Sequence, residues 1–163
     1  MFYARGYTHL DTARNYSPHA PGSSEPRLGR AEAPSRFTIH SKVRSGSPGD
    51  HEPAKVRSSI ERSLADLQTP AVETMLLHMP DRQTPFEDTL RAMDEAYRQG
   101  KFRRLGLSNY PAAEVREILE ICEREGYVKP SVFQGHYNAV VRGGEVELFP
   151  LLREHGIAFY AYR

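Results

Sequence analysis

The sequence predicts an α/β protein built on a parallel sheet. Six short apolar runs alternate with helical stretches, and the spacing between runs leaves room for one crossover helix each. The runs begin near Tyr7, Phe37, Thr74, Arg104, Val132 and Ile157. The third, Thr74–His78, is apolar at nearly every position, as a strand covered on both faces is. Polar chemistry falls in one place: the first three runs lead into Asp11, Lys42 and His78. In parallel α/β folds the carboxyl ends of the strands are where functional groups gather.

Each element has its own signal. The first run, Tyr7–Leu10, looks buried and passes straight into Asp11, with Tyr16 five residues on in a polar loop. Ser17–Glu25, rich in Pro, Gly and Ser, reads as an exposed loop, and Glu25–Arg30 as a short helical turn. The second strand spans Phe37–Lys42, and the loop Arg44–Pro53 carries two glycines and two prolines. Over Lys55–Leu67, Val56, Ile60, Leu64 and Leu67 recur at intervals of four, four and three, one face of an amphipathic helix. After the third strand, Pro80 and Pro85 bracket a loop. A helix over Phe86–Gln99 then puts Leu90, Met93, Ala96 and Tyr97 on one side, and Gly100 stops it. The fourth strand, Arg104–Ser108, ends in Ser108-Asn109. Pro111 suits the first turn of the next helix, whose stripe is Val115, Ile118, Leu119 and Cys122. Val132–Gln134 is a short strand, Glu145–His155 a helix ended by Gly156, and Ile157–Tyr162 the last strand.

Composition narrows the partners. At 163 residues, 39% hydrophobic and 26% charged, the chain can bury one sizeable core, which predicts a single domain over 1–163. A net charge of +1, with 22 basic residues spread among 21 acids, argues against nucleic acid or an anionic membrane as partner. No apolar run approaches the roughly 20 residues of a membrane helix. The first residues lack the apolar centre of a signal peptide. A lone cysteine, Cys122, excludes an internal disulfide and fits a buried structural thiol in its helix. A cytoplasmic location is the expectation.

An aspartate at the end of an apolar strand is costly to bury unless a cation or donors meet it. If the strands are parallel neighbours, Lys42 meets Asp11, and Tyr16 and His78 face the same mouth. A phenol of ordinary pKa, about 10, is a poor acid unless a cation stabilises its phenolate. Taken singly, each residue has a plainer reading. Asp11 could cap a helix, Tyr16 could be a loop aromatic, Lys42 a solvated strand end, and His78 a satisfied core histidine. His9, His40 and His78 raise the question of a metal, but the strand alternation and the Asp-Lys context fit an organic site better, and no metal is expected. No Gly-x-Gly-x-x-Gly follows a strand, so a Rossmann dinucleotide site has no support.

In order along the chain, LDTARNY, SKV, LLHMPD, LGLSNY and FQGHYN resemble the strand-end motifs of the aldo-keto reductases, and within that superfamily the aflatoxin-aldehyde-reductase branch. The resemblance covers essentially the whole chain. It implies a (β/α)8 barrel of the TIM type that is incomplete here: about six βα units, strands two to seven, with the phosphate-binding loops, strand eight and closing helices outside a chain truncated at both ends. It further implies reduction of a small-molecule aldehyde or ketone by NADPH, with Asp11, Tyr16, Lys42 and His78 as the catalytic tetrad. Ser108, Asn109 and Gln134 match the positions that bind the nicotinamide carboxamide, and Tyr162 the aromatic that stacks on the ring. His136 and Tyr137 lie near the same mouth and line the substrate pocket on this reading. Three alternatives stay open: a non-catalytic barrel relative serving as a binding or regulatory subunit, an inactive truncated reductase, and a barrel aldolase using Lys42. The preference for NADPH over NADH and the oligomeric state are not written in these residues.

Overall fold

Helix α2 (Pro53–Leu67) shows how local sequence and packing agree. Pro53 occupies the first turn, where a missing N–H costs nothing, so the helix begins two residues earlier than its apolar stripe suggests. The stripe Val56, Ile60, Leu64 and Leu67 is fully buried, and Gln68 ends the helix in the left-handed region. The other crossovers are α1 (Ser24–Arg30), α3 (Phe86–Arg98), α4 (Ala112–Glu125) and α5 (Leu148–Glu154). On α3, Leu90, Met93 and Ala96 are buried as expected, whereas Tyr97 is exposed at the edge of the stripe, tilted against Phe102. Helix α5 starts at Leu148 because Gly143–Glu145 form a separate 3-10 turn.

The computed structural model describes residues 2–163. Its six strands are β1 (His9–Asp11), β2 (Thr38–Val43), β3 (Val72–Leu77), β4 (Phe102–Ser108), β5 (Pro130–His136) and β6 (Ala158–Tyr162). All neighbours are parallel, and the order in the sheet is the order in the chain. Such a sheet is wound in one direction only and lacks the reversal of a doubly wound fold. Tyr7 lies outside β1 and is 60% exposed, so the buried-looking first run is a three-residue edge strand instead. With a ladder on one side only, β1 gives Tyr7 nothing to pack beneath.

The sheet is strongly curled. Flat strands four positions apart would lie about 19 Å from each other. Yet Gln134 on β5 donates to Asp11 on β1 at 3.0 Å, and the rings of His40 on β2 and Tyr160 on β6 are 5.8 Å apart. The curl makes an incomplete (β/α)8 barrel with two faces of different character. The convex face carries Ile39, Val43, Met75, Leu77, Leu105 and Leu107 into the helices, where the core lies. The concave face carries His40, Lys42, Thr74, Arg104, Ser108 and Gln134. Gly106 on this face makes room, since a Cβ there would stand 2.6 Å from the Leu76 side chain. Among the described residues, no helix is long and apolar enough to cross a membrane.

Candidate functional site

The site grows from Lys42. Its place in β2 points it to the concave side, and its side chain is 0% exposed. A buried ammonium needs acceptors for all three hydrogens. It has them: both carboxylate oxygens of Asp11, at 2.9 and 2.8 Å, and the carbonyl of Thr12 at 2.8 Å. The burial is one-sided. The Asp11 side chain is 41% exposed, so the lysine, not the aspartate, is the group that depends on its partner. Gln134 adds a donor to Asp11 Oδ1.

Tyr16 meets this pair from the β1–α1 loop. Local bonds shape its turn, from Tyr16 N to Ala13 O and from Gly22 N to Tyr16 O. Its ring centre lies 4.4 Å from Lys42 Nζ, a cation–π distance, and its edge meets the ring of His78 at 5.5 Å. With the lysine hydrogens committed to Asp11 and Thr12, the ammonium acts on the phenol through its field.

His78 lies just beyond β3. Burial first, then the Lys42 charge, holds its imidazole down to about 4, so the ring is neutral at neutral pH. Its Nδ1 is buried with no partner among the described residues. An unpartnered buried N–H costs more than an unpartnered lone pair, which places the ring proton on Nε2. That nitrogen is therefore a neutral donor at the mouth.

The amide-bearing residues sit at the ends of β4 and β5. Asn109, in the left-handed region at φ 65°, donates to His78 O and to Ser108 Oγ, both at 3.0 Å. Its Oδ1 accepts from the Tyr162 hydroxyl at 2.6 Å, and the Tyr162 ring stacks on His136 at 5.5 Å. Among the described residues this leaves the hydroxyl hydrogen of buried Ser108 and Oε1 of Gln134 uncommitted. One donor and one acceptor side by side on β4 and β5 match what a carboxamide presents. Tyr137 turns away to Glu145. His9 and His40 hydrogen-bond to each other at 2.9 Å, one layer below, and His40 continues to Thr74. Among the described residues no three His, Cys, Asp or Glu side chains gather as a metal site.

The structure places these eight side chains around one mouth, and sequence reasoning misses what anchors the Tyr16 loop. Arg14 reaches Glu25 at 2.7 Å and Asp66 at 2.6 Å, and Ser41 and Ser63 also donate to Glu25. Burial raises the Glu25 carboxyl, and the serines and Arg14 oppose that. The only sequence signal is an acid in the first turn of a short helix, which ordinarily means a solvated cap.

Comparison with known proteins fits this geometry. Residues 1–163 match the model of the Aldo/keto reductase family. The human protein named Aldo-keto reductase family 7 member A3 is 44% identical over 168 residues, covering 99% of this chain and 49% of that protein. Human Aflatoxin B1 aldehyde reductase member 2 is 45% identical over 166 residues, 99% of this chain and 45% of that protein. Aldo-keto reductase pigE of Monascus ruber is 38% identical over 169 residues, 98% of this chain and 48% of that protein. The chain thus spans about half the length of the curated relatives it matches. With residues 1–163 all falling within the family match, the chain belongs to the aldo/keto reductase family.

Proposed function

We propose that the chain carries the carbonyl-reducing site of an NADPH-dependent aldo-keto reductase, acting on aldehydes or ketones, with Tyr16 as proton donor. The observation that supports this is the approach of Tyr16 to both a buried lysine charge and a neutral histidine donor. Reduced nicotinamide supplies the hydride when bound.

The chain's own residues do the rest. A carbonyl oxygen between the Tyr16 hydroxyl and His78 Nε2 takes a hydrogen bond from each. As charge builds on that oxygen, His78 keeps it aligned and Tyr16 gives up its proton. The phenolate left behind faces the Lys42 ammonium, whose charge Asp11 and Thr12 hold in place. Ser108 and Gln134 hold the carboxamide through a donor and an acceptor, Asn109 braces Ser108, and the Tyr162 ring offers the flat face for stacking. The partner is a small carbonyl compound, and all three relatives above carry aldehyde or aldo-keto chemistry in their names. The test is to mix the chain with nitrobenzaldehyde and NADPH, with NADH in parallel. Alcohol should form in step with NADPH oxidation and vanish in Lys42→Met. Alcohol formed at an undiminished rate in Lys42→Met would refute the reading.

A further inference from the structure

The β2–α2 loop, residues 44–52, holds two buried polar side chains outside the group of four: Ser45, and His51 at 1% exposure. His51 Nε2 lies 2.7 Å from Ser45 Oγ, and Ser45 Oγ points on to Val43 O at 3.4 Å. His51 Nδ1 has no partner among the described residues, so its ring proton belongs on Nε2 and donates to Ser45 Oγ. The backbone around this pair is fastened too. His51 N donates to Asp81 Oδ2 at 3.1 Å, and the Thr89 hydroxyl donates to His51 O at 3.2 Å. Asp81, three residues past His78, also accepts from Thr84 and from Gln83 N. On the other side, the Asn15 amide donates to Ser45 O at 2.6 Å. Residue by residue, hydrogen bonds therefore link Asn15 to the Ser45 carbonyl, the Ser45 side chain to the His51 ring, and the His51 N–H to Asp81 in the loop that follows His78.

Among the described residues the Tyr16 backbone itself is bonded only within its own turn, to Ala13 and Gly22. The turn is tied at longer range by Arg14, whose N–H donates to Lys42 O at 3.2 Å and whose side chain reaches Glu25 and Asp66, and on the other flank by Asn15 to Ser45 O. We propose that Asn15, Ser45 and His51 are positioning residues that lock the Tyr16 loop to the His78 loop and so set how the phenol meets the carbonyl. What Tyr16 does there rests on the functional reading above; where it is held does not. A displacement near 1 Å can cost on the order of a hundredfold in rate, so such a lock matters.

The experiment labels the tyrosines isotopically and follows the Tyr16 ring signal by NMR on the full chain, assigned by its loss in Tyr16→Phe. Asn15→Ala and His51→Ala should both move that signal toward the position of free tyrosine. Both should lower kcat roughly ten- to hundredfold with KM little changed. Gln places its amide nitrogen where His carries Nε2, so His51→Gln should restore both readouts. The Asn15 side chain is exposed, so Asn15→Ala decides the matter should His51→Ala fail to fold. An unmoved Tyr16 signal in Asn15→Ala overturns the proposal. A moved signal with an unchanged rate of carbonyl reduction upholds the lock and overturns the role given to Tyr16 instead.

Discussion

Lys42 places its amine where no water reaches it, and its surroundings support two residue-scale predictions. Asp11→Ala leaves a fully buried ammonium with one carbonyl, an uncompensated charge of the kind that costs roughly 3–5 kcal/mol. Lys42→Met leaves a carboxylate that is already 41% exposed and that water can solvate. Chemical denaturation should therefore show Asp11→Ala as the less stable of the two; the opposite ranking would mean the burial is misassigned. His78 supplies the second. Its folded pKa of about 4 lies below the ordinary 6.5, and burial lowers His40 and His51 as well. As pH falls through 6.5 the unfolded chain takes up protons that the folded chain refuses until near 4. Stability is thus full above that window and drains as pH falls through it. Glu25, raised by burial, works the other way and offsets part of the loss at its acid end. The melting midpoint should drop between about pH 7 and about pH 5, and drop less in His78→Gln. A flat midpoint in the unsubstituted chain would contradict this.

At the scale of elements, Gly106 decides how tightly β3 and β4 lie together on the concave side. Its missing Cβ would stand 2.6 Å from Leu76 and 3.2 Å from Thr74. Gly106→Ala should cost roughly 1–3 kcal/mol by overpacking, and Leu76→Ala should relieve part of that cost. Strict additivity of the two in denaturant melts would show that the side chains do not meet. The parallel sheet and the stripes of α2 and α4 are legible in the sequence because burial imposes a period on them. Site residues at the ends of β1 to β5 are legible because each closes an apolar run or follows one directly. The curl is not legible in periodicity: in the sequence it comes only with the family resemblance, and in the structure it shows in contacts such as Asp11 with Gln134, 123 positions apart. The network of Arg14, Glu25 and Asp66 is hidden too, since nothing periodic marks a buried acid in a short helix. Nor does an apolar run reveal that β1 is an edge strand, where Tyr7 stays exposed.

At the scale of the molecule, the curled sheet has two open edges, for β1 and β6 have one neighbour each. His9 and Asp11 make β1 a poor template for pairing, but β6, Ala-Phe-Tyr-Ala-Tyr, carries no charge. Residues 1–163 alone should self-associate with rising concentration in sedimentation velocity, and a lysine on the exposed edge in Ala161→Lys should suppress it; association indifferent to Ala161→Lys would place the contact elsewhere. The same curl gathers Asp11, Lys42, Tyr16 and His78 from three successive βα units, and the central claim is that this gathering makes Tyr16 an acid. The most direct measurement compares the unsubstituted protein with Tyr16→Phe for nitrobenzaldehyde reduction, alongside NADPH binding followed by fluorescence. The rate should fall by ~100- to 10,000-fold, the usual worth of a positioned general acid, while cofactor binding holds. An undiminished rate in Tyr16→Phe would contradict the account.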